Sequence, residues 1–483
     1  MAATTILDKI KAPKAQGFRR LYIKRRVATT GLFESNWQEI SEDVKSWGSV
    51  SKSIDAVRYS RVRFSDANLL MANDDGKYNP NDDDGSLWFG YAPQNRSLVK
   101  IEAGFLHQTL AASGIWSNTY LPSDPTIFVG IIQGDIPLSD SNDINLPVKP
   151  LLQVFRDFNC SDLTGLTTTG MTASQFIQTL RDQTDGSGAF LFRPFFGDTT
   201  SYWDFTSSST VYKDINNTIT SAQPVDAGLQ PVQNDFIQMT VWDALERLAE
   251  AEDKIPYITR DGKFKFRDRD ANTTGAAFAF YGNGYLDRRF GTTVKSINSY
   301  KTKISDYYSR VEVKWNDIAT TTAIVSTQTS MTVGNNTAWN YGRRTFSVDN
   351  PWVATLTSAQ ALASRIFDAV SAVPKEVDFT TSFVPHLEIL DLVTLSYDSA
   401  EPSYNNRWDL MEWAADDTDT AADLEWAPAN ALGFEGDEFK LTSITIDLEN
   451  MTSRFIGLKT GGVNANVGGN TVGSAIVGDA ILG

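Results

Sequence analysis

Residues 357–397, TSAQALASRIFDAVSAVPKEVDFTTSFVPHLEILDLVTLSY, decide how the rest of the chain is read. Thr357 with Gln360 three residues later has the form of a capping box, in which a hydroxyl and an amide satisfy opposite orphan NH groups at a helix start. Leu362, Ile366, Ala369 and Val373 then recur at spacings of three and four, which predicts one apolar stripe, and Pro374 predicts the stop. Two strand-like runs follow, Val377 to Val384 and Leu387 to Tyr397, separated by Pro385-His386. The expected unit is one helix laid on a β-sheet.

Working outward, 483 residues with 41% hydrophobic content and 17 Pro can bury several cores. At about 100 to 200 residues per domain, roughly three domains are expected. The net charge of −16 is unevenly spread. Met1 to Thr30 carries eight Lys/Arg against one Asp, whereas Asp398 to Glu449 carries fourteen Asp/Glu against two basic residues. An acidic chain lacks the excess of Lys and Arg that general nucleic-acid affinity requires. One cysteine, Cys160, excludes an intrachain disulfide and fits folding in a reducing compartment. The first twenty residues contain no apolar signal-peptide core, and no run of about 18 apolar residues predicts a membrane-spanning helix.

The segments before residue 357 are β-rich at first. Phe18 to Val27 reads as an edge or outer strand in which Leu21 and Ile23 alternate with Arg19, Arg20, Lys24, Arg25 and Arg26. Such a basic face either blunts a solvated edge or meets an acidic partner. Further strands are expected at Val57 to Phe64, Ser97 to Ala103 and Phe128 to Ile136, with an Asp/Asn-rich loop, Asn73 to Gly85, between the first two. That loop lacks the ligand order, Gly and Glu of an EF-hand, and reads as Asx turns. The texture then changes. Helices are predicted from Thr172 to Thr184 and after the capping pair Thr240 and Asp243, the second with Trp242, Leu245, Leu248 and Ala249 on one face. Residues 257–267, YITRDGKFKFR, predict a hairpin with a two-residue Asp-Gly turn pairing Thr259 with Phe264. In that register Tyr257, Phe264 and Phe266 share one face, and Arg260, Lys263, Lys265 and Arg267 the other.

Beyond residue 286 the chain is β-rich again. Tyr307 to Trp315 alternates around Val311 and Val313, an acidic insert at 401–436 carries Trp408, Trp413 and Trp426, and Phe439 to Ile446 with Ser453 to Leu458 forms a closing pair. The last residues repeat Val-Gly or Leu-Gly every five positions, at Val467, Val472, Val477 and Leu482. The fold class expected is therefore mainly β with an α+β middle segment. The domain expectation is an N-terminal arm at 1–16, a β domain at 17–155, a mixed domain at 156–285, a second β domain at 286–460 and a repeat tail at 461–483.

Motifs for chemistry are missing. His occurs only at His107 and His386, neither beside a nucleophile motif, and there is no GxSxG, P-loop, HExxH or paired CxxC. No catalytic, cofactor-binding or metal-ligating residue is assigned, and no enzyme activity is expected.

In order along the chain, VSKSI at 50–54, VKIEAG at 99–104, the helix and hairpin of 240–267, YSRVEV at 308–313, PHLEILDLVTL at 385–395 and FKLTSITIDL at 439–448 are similar to landmarks of the baseplate hub or tail-tip hub proteins of tailed bacteriophages. The resemblance spans most of residues 17–460. It implies two tail-tube-like β-barrel or sandwich domains joined by a mixed domain, in a homotrimeric ring that adapts a hexameric tail tube to a threefold tip and lines the DNA conduit. It also implies tail-tube or distal tail proteins, a tape measure protein and tip, spike or fibre proteins as partners. Genomic DNA would pass without specific binding, in a virion assembled in the host cytoplasm. With that reading, Arg19, Arg20, Lys24, Arg25 and Arg26 are candidate subunit-interface residues, and Val467, Val472, Val477 and Leu482 a candidate axial plug. The alternative is a carbohydrate-active or carbohydrate-binding β-protein acting on envelope polysaccharide, suggested by 12 Trp and many carboxylates.

Overall fold

The computed structural model describes residues 16–27, 29–55, 61–78, 87, 91, 96–110, 116–134, 143–163, 166, 173–196, 239–251, 254–268, 276–282, 293–314, 323–327, 342, 344–350, 356–371, 373–398 and 433–459. Among these the chain is mainly β, with two eight-stranded sheets, a hairpin and a three-stranded sheet.

The first part of the chain forms β1 (Gln16–Lys24), β2 (Gln38–Glu39) and β3 (Val44–Ser46), then β4 (Ser49–Ile54) and β5 (Val62–Phe64), then β6 (Ala67–Ala72), β7 (Leu98–Leu110), β8 (Trp116–Leu121), β9 (Thr126–Ile132) and β10 (Asp143–Pro150). All but β4 and β5 build the first sheet, in the order β2-β1-β7-β9-β10-β6-β3 with β8 also on β7. Alternation fixes which side faces in: Leu21 and Ile23, Leu69 and Met71, and Ile144, Leu146 and Val148 are all buried. The segment from Gln38 to Ser46 supplies both end strands, β2 on β1 and β3 on β6. Because one connector serves both edges, the sheet is curled round on itself. The fastening is polar as well: the Ile40 NH donates to the Leu21 carbonyl at 2.9 Å, and the Leu21 NH donates to Ser41 Oγ at 2.9 Å.

The middle segment contributes α1 (Leu152–Arg156), α2 (Ala173–Arg181), α3 (Arg193–Phe196), α4 (Val241–Ala251) and the hairpin β11 (Lys254–Ile258) with β12 (Phe264–Asp268). The capping pair before α4 is present: the Asp243 NH donates to Thr240 Oγ1 at 3.2 Å. The apolar faces read from sequence, Phe176, Ile177 and Leu180 on α2 and Trp242, Leu245, Leu248 and Ala249 on α4, are buried in one core. Phe155 sits within it, stacked on Phe196 at 4.6 Å and edge-on to Phe264 at 5.5 Å.

The hairpin differs from the expected register. Ile258 pairs with Phe264 and Tyr257 with Lys265, one residue removed from a Thr259 to Phe264 pairing. The loop is the three residues Arg260-Asp261-Gly262, closed by the Thr259 NH to the Lys263 carbonyl at 2.9 Å and the Gly262 NH to the Thr259 carbonyl at 3.0 Å. A type I′ turn needs two left-handed residues, and here only Gly262 has positive φ, +83°. A one-residue change of register exchanges the faces. Ile258, Phe264 and Phe266 therefore face the middle core, while Ile255 and Tyr257 face the core between the large sheets. The four basic residues do not form one exposed face, since Lys265 is buried opposite Tyr257.

The second sheet begins with β13 (Phe278–Tyr281) and β14 (Val294–Thr302). The chain then leaves to form β15 (Arg310–Lys314), β16 (Ala323–Thr327), β17 (Thr345–Asp349) and α5 (Leu356–Val370), and returns as β18 (Lys375–Ser382), β19 (Leu392–Asp398), β20 (Gly433–Asp447) and β21 (Thr452–Lys459). The sheet order is β13-β19-β20-β21-β18-β14. Its two edges also meet: Thr293 and Tyr281 exchange hydrogen bonds at 2.9 Å, while the Thr293 carbonyl accepts the Ser382 NH at 2.8 Å.

The quoted stretch thus contains one helix and two strands, but the helix does not lie on those strands. Since β14 and β18 pair directly, everything between them is an inserted unit, and α5 packs there on β15 and β16. Leu362, Ala363, Ile366 and Val370 face Val311, Val313, Phe346 and Val348. The alternating valines offer an apolar face to the helix, whereas β18 is already buried on both sides along most of its length. The helix starts at Leu356, so Thr357 lies inside it, and it ends at Val370 ahead of Pro374. Residues 387–391 form a turn, and β19 starts only at Leu392.

Division of the chain by sequence position also gives way to spatial pairing. β4 and β5 fall within 17–155, yet β4 pairs with β20 of the second sheet, Ser51 opposite Thr445 and Lys52 opposite Ile444. β13 falls within 156–285 and pairs with β19. One continuous apolar core runs from Leu21 and Val99 of the first sheet to Phe379 and Phe455 of the second. Within it Phe105 and Phe383 meet edge-to-face at 5.8 Å across the two sheets.

Candidate functional site

Among the described residues, the cysteine and His386 stand in separate parts of the fold. Cys160 is buried in the middle core, and burial with Asp243 and Asp162 nearby pushes its thiol up to about 12, so a thiolate nucleophile is disfavoured. His386 lies instead beside the second sheet, against Phe278, and burial together with the Arg260 charge lowers its imidazole to about 4. Among the described residues no group of three His, Cys, Asp or Glu is placed to hold a metal ion. In the described part of the Asp/Asn-rich loop, Asp75 Oδ1 accepts the Lys77 NH at 3.0 Å in an Asx turn, and Asn73 Oδ1 reaches further to accept the Tyr78 NH at 2.8 Å.

The basic strand read from sequence is β1, paired along its length with β7 and at one end with β2. Its arginines already hold partners within the chain. Arg19 donates to the Leu448 and Glu449 carbonyls and lies 5.5 Å from the Trp47 ring. Arg20 stacks 4.4 Å from the Tyr120 ring and approaches Glu39 at 3.8 Å. Arg25, just past the strand end, forms a half-buried pair with Glu34 at 3.0 Å and lies 3.8 Å from the Tyr91 ring. Arg26 donates to the Gly31 carbonyl at 2.6 Å, and burial followed by the Arg96 charge pulls it below the ordinary guanidinium value. Lys24 is the one of the five without a side-chain hydrogen bond or ion pair among the described residues. Val467, Val472, Val477 and Leu482, and Trp408, Trp413 and Trp426 of the insert, lie outside the described residues.

The most developed polar site is one that sequence reading did not single out. Lys52 on β4 and Glu388 in the turn before β19 are both buried and pair at 3.2 Å. The Tyr257 hydroxyl donates to the same carboxylate oxygen, and the Arg260 NH donates to the other at 2.9 Å. Burial raises the Glu388 carboxyl and lowers the Lys52 ammonium, each opposed by the other's charge, as expected of an ion pair taken out of water. The turn is itself braced: the Glu388 NH donates to Asp391 Oδ2 at 2.8 Å, and Leu390, in a left-handed conformation at φ 68°, donates its NH to the Leu441 carbonyl at 2.7 Å. Arg260, Lys52 and Leu387 line an adjoining cavity of about 10 Å³, room for a single water at most. Three distant pieces of chain thus meet on one carboxylate. The signal in the sequence was a charge at an inward position, Lys52 between Val50 and Ile54 and Glu388 between Leu387 and Ile389.

An open cleft of about 440 Å³ lies on the second sheet between Arg63, Lys303, Asp306 and Glu376. Lys303 bonds Glu376 and sits 3.7 Å from Asp306, so the charges of the cleft compensate one another. Among the described residues no aromatic ring lines it.

One buried carboxyl gives a pH prediction. Glu246 on α4 accepts the Trp242 indole NH at 2.8 Å, and burial raises it from an ordinary 4.5 to about 7. Its folded value exceeds its unfolded one, so its contribution to stability is complete below about 4.5 and is lost as pH rises through about 7. Glu246→Gln keeps an acceptor for Trp242 and is expected to stabilise the protein at pH 8 by about 1–3 kcal/mol relative to its effect at pH 4.5. Urea denaturation of both proteins at the two pH values measures this difference.

No protein-family profile matches the chain, and no curated protein matches it in sequence. Solved structures similar to it include tail proteins, two of them from prophages. The tail protein from Neisseria meningitidis MC58 is 11% identical over 93% of this chain and 98% of that one, with a TM-score of 0.47. The 43 kDa tail protein of prophage MuSo2 from Shewanella oneidensis is 12% identical over 92% and 99%, with a TM-score of 0.43. The prophage tail protein gp18 from Listeria monocytogenes EGD-e is 8% identical over 96% and 98%, with a TM-score of 0.39. At these identities and scores the likeness assigns neither family nor activity to this chain.

Proposed function

We propose that the chain is a structural hub of a phage tail tip, three copies of which close into a ring around the DNA path. The observation that carries this reading is the pair of curled eight-stranded sheets in one chain, joined through a strand of the first segment built into the second sheet. Three such two-sheet units around an axis present six similar modules, which suits a part set between a sixfold tube and a threefold tip. The sequence landmarks that resemble the hub family support it too: VSKSI is β4, PHLEILDLVTL is the braced turn with β19, and FKLTSITIDL lies on β20 and the turn after it.

The role is structural, without bond-making or bond-breaking chemistry. The net charge of −16 suits a conduit wall, because phosphates find few cations to hold them. Screening limits that influence to about 8 Å at physiological salt, so lumen-facing side chains alone would exert it. Of the basic residues on and after β1, Lys24 is the one available to a neighbouring subunit's acidic surface, because the arginines are engaged within their own chain. The Val-Gly repeat is assigned to the axis, where three copies could bury Val467, Val472, Val477 and Leu482 together. The partners in this reading are other copies of the chain, tail-tube, tape measure and tip proteins within the virion. Electron microscopy of the purified protein and of tail tips containing it is expected to show a threefold ring with a central hole. A monomer in both preparations would overturn the proposal.

A further inference from the structure

The inward face of β4 is Val50, Lys52 and Ile54, and its outward face is Ser49, Ser51 and Ser53. A one-residue slip of β4 along β20 would turn serines inward and is opposed by hydrophobicity alone. A two-residue slip preserves both faces. In the direction that brings residue 50 opposite Ile444, Val50 again meets an apolar neighbour and Ser51 comes opposite Ser443, while Gly48 takes the place of Val50 and Trp47 that of Ser49. What it cannot preserve is the meeting of Lys52 with Glu388, since a displaced Lys52 would be a buried cation without its counter-charge.

We propose that the Lys52 and Glu388 pair, held by Tyr257 and the Arg260 NH, is a register pin that fixes where β4 seats on β20 and thereby how the two curled sheets are placed relative to each other. The links leaving the strand pair are short: Trp47-Gly48 runs from β3 to β4, and Ser65-Asp66 from β5 to β6. A slipped β4 therefore carries the first sheet with it. The contacts of Glu449 across the joint, the Trp47 NH at 3.0 Å and Arg19 at 3.9 Å, involve a carboxylate about half exposed, which water can satisfy when they part, and the apolar core shared by the sheets, with Phe105 on Phe383, carries no charge that a slip would strand. The pin is buried, so water cannot replace it.

Engineered cysteine pairs read the register directly. Ser51 directs its backbone groups toward Ser65, donating to Ser65 Oγ at 2.8 Å and accepting the Ser65 NH at 2.9 Å. On the β20 side its opposite residue Thr445 is consequently a non-hydrogen-bonded neighbour, the closer kind of cross-strand pair, suited to a disulfide. Ser51→Cys with Thr445→Cys reports the native register, and Ser51→Cys with Ser443→Cys reports a two-residue slip.

With the pin intact, only the first pair is expected to cross-link on mild oxidation of the full chain. Removing the pin by Lys52→Met with Glu388→Gln leaves an acceptor for Tyr257 and Arg260. This variant is expected to fold, with the slip reporter cross-linking to an extent comparable with the native reporter. Moving the pin by Val50→Lys with Lys52→Val is expected to make the slip reporter dominant, because the lysine then meets Glu388 two residues along. A pinless variant that fails to fold, or that folds and cross-links only in the native register, would overturn the proposal. So would a moved pin that leaves the native reporter dominant.

Discussion

Replacing Glu388 with alanine is expected to lower the unfolding free energy by about 3–5 kcal/mol, because it strands a buried charge. The substitution leaves the Lys52 ammonium, the Tyr257 hydroxyl and the Arg260 NH without their shared acceptor in a site that has space for one water at most. Lys52→Met should cost less than Glu388→Ala, since the remaining carboxyl, already raised by burial, can take up a proton and keep its other two hydrogen bonds. Urea denaturation monitored by tryptophan fluorescence measures both. Equal losses from the two single variants would show that the carboxylate is not the centre of the cluster.

Phe155→Ala is expected to cost about 3–5 kcal/mol, the usual range for deleting a buried ring that its surroundings cannot replace. The ring has no exposed surface and contacts Phe192 at 5.3 Å, Phe196 at 4.6 Å, Phe264 at 5.5 Å and Trp242 at 6.4 Å. It joins α1 to α3, α4 and the hairpin, so its loss should be felt first in the middle segment. Hydrogen exchange should show protection falling in Val241–Ala251 and Phe264–Asp268 before it falls in β20. Uniform loss across all three regions would instead mean that the middle core unfolds only with the large sheets.

Much of the local structure was legible because local physics produces it. Trp242, Leu245, Leu248 and Ala249 share a helical face and are buried, and Val311 and Val313 alternate inward as a strand should place them. The partner of each face was not legible. The stripe on α5 announced that it needed an apolar surface, but nothing in residues 357–397 says that the inserted three-stranded sheet supplies it. The hairpin register differs by one residue from the sequence expectation because Asp-Gly suits a two-residue turn as well as a three-residue loop with Gly262 at the left-handed position. Pairing across long separations was beyond reach for the same reason. The alternation of VSKSI identifies a strand with one buried face, and any long apolar-edged strand could have accepted it. Lys52 and Glu388 were each visible as charges in apolar company. That they answer one another follows only once the chain is folded.

The seating of β4 between β5 and β20 has a consequence for how the protein is made. Its hydrogen-bonding partner Ile444 is synthesised almost four hundred residues after Lys52. During translation the first sheet can curl and fasten its own edges, but the strand pair beside it must wait with one side unsatisfied until β20 has left the ribosome. Contacts of such separation slow folding and leave strand edges open to other chains. The serines on one side of β4 and the lysine on the other make that waiting edge a poor template for aggregation.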